Sequence, residues 1–136
     1  MKLVLDSNFY SLFDVGHEAA IELMTHAESY YLPSIVVGEL CHGFRYGNRY
    51  EENLKRLKLF LKTFHAEVIP VDMETAILFG EIAASLKKKG KPIPSNDIWI
   101  AACCLSVGGT LATMDGDFLH VDQIAVKHIK VKNHFH

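Results

Sequence analysis

The sequence predicts an α/β sandwich, a short and mostly parallel sheet flanked by helices. Short apolar segments of strand character alternate along the chain with longer segments of helical periodicity. The strand cores are continuously apolar, as expected of strands covered on both faces. A chain of 136 residues is the size of one domain, and no linker, repeat or low-complexity stretch divides it. One domain over residues 1–136 is therefore expected, with a frayed tail from about residue 132.

The elements follow in order. Lys2-Leu3-Val4-Leu5 reads as a buried strand ending in Asp6. Ser7 and Asn8 precede Phe9, Leu12 and Phe13, a short helix. Ala20, Ile21, Leu23, Met24 and Ala27 recur at helical spacing between His17 and Glu28. Tyr30-Tyr31-Leu32 is a second strand, closed by Pro33. Ser34 is the expected N-cap of a helix through Ile35 and Cys41. From Glu51 to Phe64, an apolar stripe of Leu54, Leu57, Phe60, Leu61 and Phe64 opposes Lys55, Arg56, Lys58 and Lys62. Glu67 to Val71 is a third strand, and Asp72 caps the helix after it. That helix ends at Lys87-Lys88-Lys89-Gly90, cations and then a glycine where a C-terminus favours them. After the rigid Pro92-Ile93-Pro94, Ser95 is expected to cap a buried helix from Asn96 to Val107. Thr110 to Thr113 is a fourth strand, and His128 to Val131 a last one.

Composition narrows the class. Apolar residues make up 49% and charged residues 22%, which is globular rather than disordered. Lysine and arginine number 14 against 16 acids, so no overall basic field marks a nucleic-acid binder. No apolar run approaches the ~18 residues of a membrane span, so no membrane partner is expected. The opening apolar run meets Asp6 too early for a signal-peptide core. The three cysteines, Cys41, Cys103 and Cys104, form no C-x-x-C and suit buried thiols in a reducing compartment. A cytoplasmic protein is expected.

Ligands bind open parallel sheets at the carboxyl ends of the strands. Asp6 ends the first strand, and Asp115 and Asp117 follow the fourth. Asp97 lies in the first turn of one helix and Glu39 about one turn into another. Taken singly, each acid has a plain structural role. Asp6 can cap a helix, Asp97 complement a helix dipole, Asp115-Gly116 form a turn, and Asp117 sit at the surface. Glu39 can be a glutamate at the rim of a buried helix. Taken together, the acids can meet in one cleft. Like charges held so close need protons or a cation among them. Oxygen donors without His or Cys favour a hard ion, Mg²⁺ or Mn²⁺, which suits phosphodiester hydrolysis by an ion-activated water.

Four segments appear in a family order: Asp6-Ser7-Asn8, Glu39-Leu40-Cys41-His42-Gly43, Asn96-Asp97-Ile98-Trp99-Ile100-Ala101-Ala102 and Thr113-Met114-Asp115-Gly116-Asp117-Phe118. In that order they resemble the PIN domain, in particular its VapC-type toxin branch, over nearly the whole chain from Lys2 to Val131. The resemblance implies an endoribonuclease dependent on Mg²⁺ or Mn²⁺, the toxin of a type II toxin–antitoxin pair. It implies that Asp6, Glu39, Asp97 and Asp115 are catalytic and hold the metal, with Asp117 as an auxiliary ligand. Ser7 and Thr113 would support the carboxylates, and Asn96 would contact a ligand or the substrate. It further implies a homodimer, an RNA substrate cut to 5′-phosphate and 3′-hydroxyl ends, and an antitoxin blocking the cleft. Cys103-Cys104 departs from the small residues usual at that place, a difference of packing.

Other features stay open. His42, three residues after Glu39, can approach the site or be a surface residue. Phe44, Tyr46 and Tyr50 flank Arg45 and Arg49, a composition suited to single-stranded RNA, to an antitoxin helix or to a dimer surface. Lys87 to Lys91 can meet phosphates or simply end a helix, and His134 and His136 can take up a stray metal or lie in a frayed tail. Trp99 and Ile100 are read as core. Two other functions compete. One is a non-catalytic PIN-like binding module acting through its antitoxin. The other is a phosphotransfer protein, disfavoured because Asn8 stands where a phosphatase D-x-D motif needs its second acid.

Overall fold

The computed structural model describes residues 1–131, in which five parallel strands form a single sheet in the order β3-β2-β1-β4-β5. The strands are β1 (Lys2–Leu5), β2 (Ser29–Pro33), β3 (Glu67–Ile69), β4 (Thr110–Thr113) and β5 (Ala125–His128). The helices are α1 (Ser7–Asp14), α2 (Glu18–Thr25), α3 (Ser34–Arg45), α4 (Tyr50–Thr63), α5 (Met73–Lys89) and α6 (Ser95–Ser106). The expected frayed tail, with His134 and His136, lies outside the described residues. Among the described residues, no helix is long and apolar enough to cross a membrane.

Burial explains why the strands read as apolar runs. Leu3, Val4 and Leu5 project to alternate faces of β1, and all three are 0% exposed, so helices cover both faces. Leu111, Ala112 and Thr113 are sealed in the same way on β4. The aromatic stripe of α4 packs Phe60 and Phe64 edge-on against Tyr10, Phe13 and Tyr30. Trp99 stacks on Phe79 with ring centroids 4.1 Å apart, joining α6 to α5.

Successive connections carry the chain from β1 to β2 to β3 in one direction. The α5–α6 connection then returns it across the sheet to β4, on the other side of β1. The direction of winding reverses between β1 and β4, and a crevice opens at the carboxyl ends of strands parting in this way. Leu3 pairs with Thr110 and Leu5 with Ala112, so the two strands end side by side.

Four boundaries differ from the sequence reading. Ser34 and Ser95 are first residues of their helices, not caps; Pro33 and Pro94 are the N-caps, without side-chain bonds. Their extended ψ angles of 143° and 146° suit the cap position, and the Pro94 carbonyl accepts from Asp97 and Ile98. The third strand stops at Ile69, because Pro70 has no N–H to extend the ladder. The last strand is Ala125–His128, three residues earlier than expected, since its register pairs Thr110 with Ala125 and Thr113 with His128. Asp72 and Gly90 do cap α5: Asp72 accepts from the Thr75 amide, and Gly90 turns left-handed at φ 71°.

Candidate active site

The crevice between β1 and β4 collects the acids singled out in the sequence. Asp6 follows β1 directly and is 4% exposed. Its Oδ1 accepts from the Phe9 amide at 2.8 Å, capping α1, while its Oδ2 accepts from the Thr113 hydroxyl on β4. One Asp6 side chain thus caps α1 and reaches across to β4. The Thr113 hydroxyl in turn accepts from the Asp115 amide at 2.9 Å. Asp115 Oδ1 accepts from the Asp117 amide at 2.9 Å and starts a short 3-10 helix over Gly116–His120. One hydroxyl therefore ties the end of β1 to the acidic turn after β4.

Asp97 enters from the first turn of α6. Carboxylate oxygens of Asp97, Asp115 and Asp117 lie within 4.8 Å of one another, the spacing of a potential cation site. Asp6 and Glu39 stand outside that tightest group, yet both are close enough to act on it. Burial pushes the Asp97 carboxyl up to about 6, and the charges of Asp115, Glu39, Asp6 and Asp117 push the same way. Burial also raises Asp6 to about 6, against the lowering effect of its Thr113 and Phe9 hydrogen bonds.

Glu39 projects from the second turn of α3, half-buried. Its Oε2 accepts from the Asn96 amide at 3.5 Å. Its Oε1 is sealed from solvent and has no hydrogen-bond partner among the described residues. A buried carboxylate oxygen without a donor is costly, and a cation in the cleft would satisfy it. Ser7 lies in the first turn of α1 and makes no bond to these carboxylates among the described residues. The donor set contains only oxygen, so these residues fit a hard divalent ion.

The sequence reading attached no role to His128, at the end of β5. Its Nε2–H donates to the Met114 carbonyl at 3.0 Å, one residue before Asp115. Its ring also lies under Gly116. The amide of Ile129 adds a 2.8 Å bond to the Thr113 carbonyl. The edge strand thus braces the acidic turn, a role that no motif around His128 announces.

Residues 3–124 match the family described as the PIN domain. The chain belongs to the PIN domain family. Ribonuclease VapC2 of Rickettsia felis is 30% identical over 93 residues, 68% of each chain. This PIN domain also superposes on the crystal structure of VapBC2 from Rickettsia felis bound to a DNA fragment from their promoter. That match has a TM-score of 0.80 at 25% identity and covers 94% of this chain and 98% of the other. FitAcB from Neisseria gonorrhoeae is a further structural relative, with a TM-score of 0.78 and 29% identity over 91% of this chain and 95% of that one. The parallel sandwich of this PIN domain is accordingly that of VapC proteins seen in toxin–antitoxin complexes.

Proposed function

We propose that this chain is a metal-dependent endoribonuclease and the toxin component of a toxin–antitoxin pair. The observation carrying the reading is the convergence of Asp6, Glu39, Asp97, Asp115 and Asp117 at the β1/β4 crevice, with one Glu39 oxygen buried and unpartnered. The names of its VapC relatives support the same activity.

Asp97, Asp115 and Asp117 are the first candidates to hold the ion, with Asp6 and Glu39 completing its surroundings. A hard divalent ion held there, Mg²⁺ or Mn²⁺, would supply an acidified water and charge neutralisation at the scissile phosphate. The protein's part is to hold the carboxylates in place. Thr113 fixes Asp6 relative to Asp115, and the Asn96 amide orients Glu39. Hydrolysis in one step by an ion-activated water, to 5′-phosphate and 3′-hydroxyl ends, is proposed. A small antitoxin is the proposed inhibitor, because VapC proteins of this fold are found in VapBC complexes. A homodimer in the cytoplasm is the proposed working form.

The test is RNA cleavage by antitoxin-free protein in Mn²⁺ or Mg²⁺ against EDTA, with Asp97→Asn beside wild type and the new ends sequenced. Cleavage should vanish with EDTA. In Asp97→Asn it should fall by more than the roughly 10–100-fold typical of losing a residue that merely supports a ligand. A folded Asp97→Asn that still cuts overturns the assignment. A wild type that neither cuts RNA nor binds Mn²⁺ by calorimetry is a non-catalytic binding module instead.

A further inference from the structure

The face of α3 that presents Glu39 continues past it. Ile35, Gly38, Glu39, His42 and Tyr46 recur at helical spacing and share one side of α3 and its C-terminal cap. Ser34, Ile35, Gly38, Glu39 and His42, with Asn96, line an open groove of about 320 Å³. Glu39 and Asn96 therefore belong both to this groove and to the acidic crevice. Gly38 leaves the groove open: a Cβ there would meet nothing within 4 Å.

Beyond His42 the face becomes aromatic and basic. The His42 and Tyr46 rings lie 5.0 Å apart, tilted by 55°. Tyr46 is 82% exposed, an unusual position for a large ring that gains from burial. Arg45 stands over the Tyr50 ring, 3.5 Å from its centroid. Among the described residues it pairs with no carboxylate. Phe44, between His42 and Tyr46 in sequence, packs against the core instead.

We propose that single-stranded RNA reaches the acidic crevice along this α3 face, with a base stacked on the His42–Tyr46 pair and a backbone phosphate at Arg45. The inference rests on the nuclease reading and adds the path of the substrate. An exposed ring pair offers a π-face that any unpaired base can use. A guanidinium seated over a ring and unpaired with any carboxylate has N–H donors to offer a phosphate. A duplex hides the faces of its bases, so the platform selects unpaired RNA. A partner helix would need an apolar stripe to dock, whereas Ile35 is the single large apolar residue lining the groove. The continuity through Glu39 and Asn96 delivers a stacked strand to the carboxylates.

The test is fluorescence anisotropy with a labelled single-stranded oligoribonucleotide of mixed sequence and a blunt-ended duplex of the same strand. Ca²⁺ replaces Mg²⁺ or Mn²⁺ so that binding is read without cleavage. Tyr46→Ala should weaken binding of the single strand by roughly 5- to 150-fold, the range measured for one stacked base. Tyr46→Phe, which keeps the ring, should bind like wild type. Arg45→Gln should reduce the slope of log affinity against log salt by about 0.7, one phosphate contact. Gly38→Leu fills the groove while improving helix propensity, so it should stay folded and bind RNA more weakly. Equal binding of single strand and duplex overturns the proposal, as does wild-type affinity in Tyr46→Ala. A Tyr46→Ala protein that keeps its RNA affinity but changes its mass in solution assigns the face to a second copy and also overturns it. A wild type that binds the single strand in Ca²⁺ but cuts nothing in Mn²⁺ overturns the nuclease reading and leaves this one standing.

Discussion

Asp6 accepts a hydrogen bond on each carboxylate oxygen, yet its carboxyl titrates near 6 because burial outweighs both donors. The sign of the consequence is fixed. With the folded carboxyl above its unfolded value of 3.8, the folded state holds protons more tightly. Stability is full below about pH 4 and is lost as pH rises through about 6. Asp97, also raised to about 6, acts in the same direction. The metal-free protein should therefore melt at a higher temperature at pH 5 than at pH 7.5. Two pKa units on Asp6 are worth about 3 kcal/mol at most. A flat or opposite profile in EDTA by calorimetry would refute this. Mn²⁺ should raise the melting temperature at pH 7.5, by RT ln(1 + [Mn²⁺]/Kd), and raise it less at pH 5, where protons compete. Thr113 is the second sensitive position, because its hydroxyl serves Asp6 and Asp115 at once. Thr113→Val should cost about 1–3 kcal/mol by leaving buried polar groups unpaired. It should also weaken Mn²⁺ binding by roughly 10–100-fold, while Thr113→Ser keeps both. Thermal melts and calorimetry would distinguish the two variants.

The turn from α6 into β4 fits tightly against β1. A Cβ on Gly109 would sit 2.6 Å from Val4 Cγ2 and 3.3 Å from the Lys2 carbonyl, so only glycine fits there without a shift. Gly109→Ala should lower stability by about 1–3 kcal/mol through overpacking, read as a drop in melting temperature. The edge strand makes a gentler demand. His128→Ala releases the Met114 carbonyl and should weaken Mn²⁺ affinity with little effect on melting temperature; unchanged affinity would leave β5 without a part in the site. These elements also show where sequence is legible. The caps at Asp72 and Gly90 were readable because a side chain or a left-handed turn makes them. The starts of α3 and α6 were misread by one residue, since serine is a frequent cap and proline took the place through its backbone alone. The position of β5 was not legible, because pairing with β4 rather than apolar pattern sets it.

The reversal of winding between β1 and β4 turns a scattered set of acids into one cleft. The order of Asp6, Glu39, Asp97 and Asp115 along an alternating α/β chain is the part of that cleft the sequence carries. Their grouping was not readable: Asp117, marked as auxiliary, sits with Asp97 and Asp115, while Asp6 and Glu39 stand outside this trio. Such distances depend on how α6 and the turn after β4 approach each other, which no local pattern encodes. The proposed homodimer belongs to the same level and would appear as twice the chain mass of 15.3 kDa in light scattering. The bond from Thr113 to Asp6 spans 107 positions of sequence. Its consequence is one of timing. While the chain is being made, Asp6 leaves the ribosome early and waits for β4, so the cleft cannot close until most of the polypeptide has emerged.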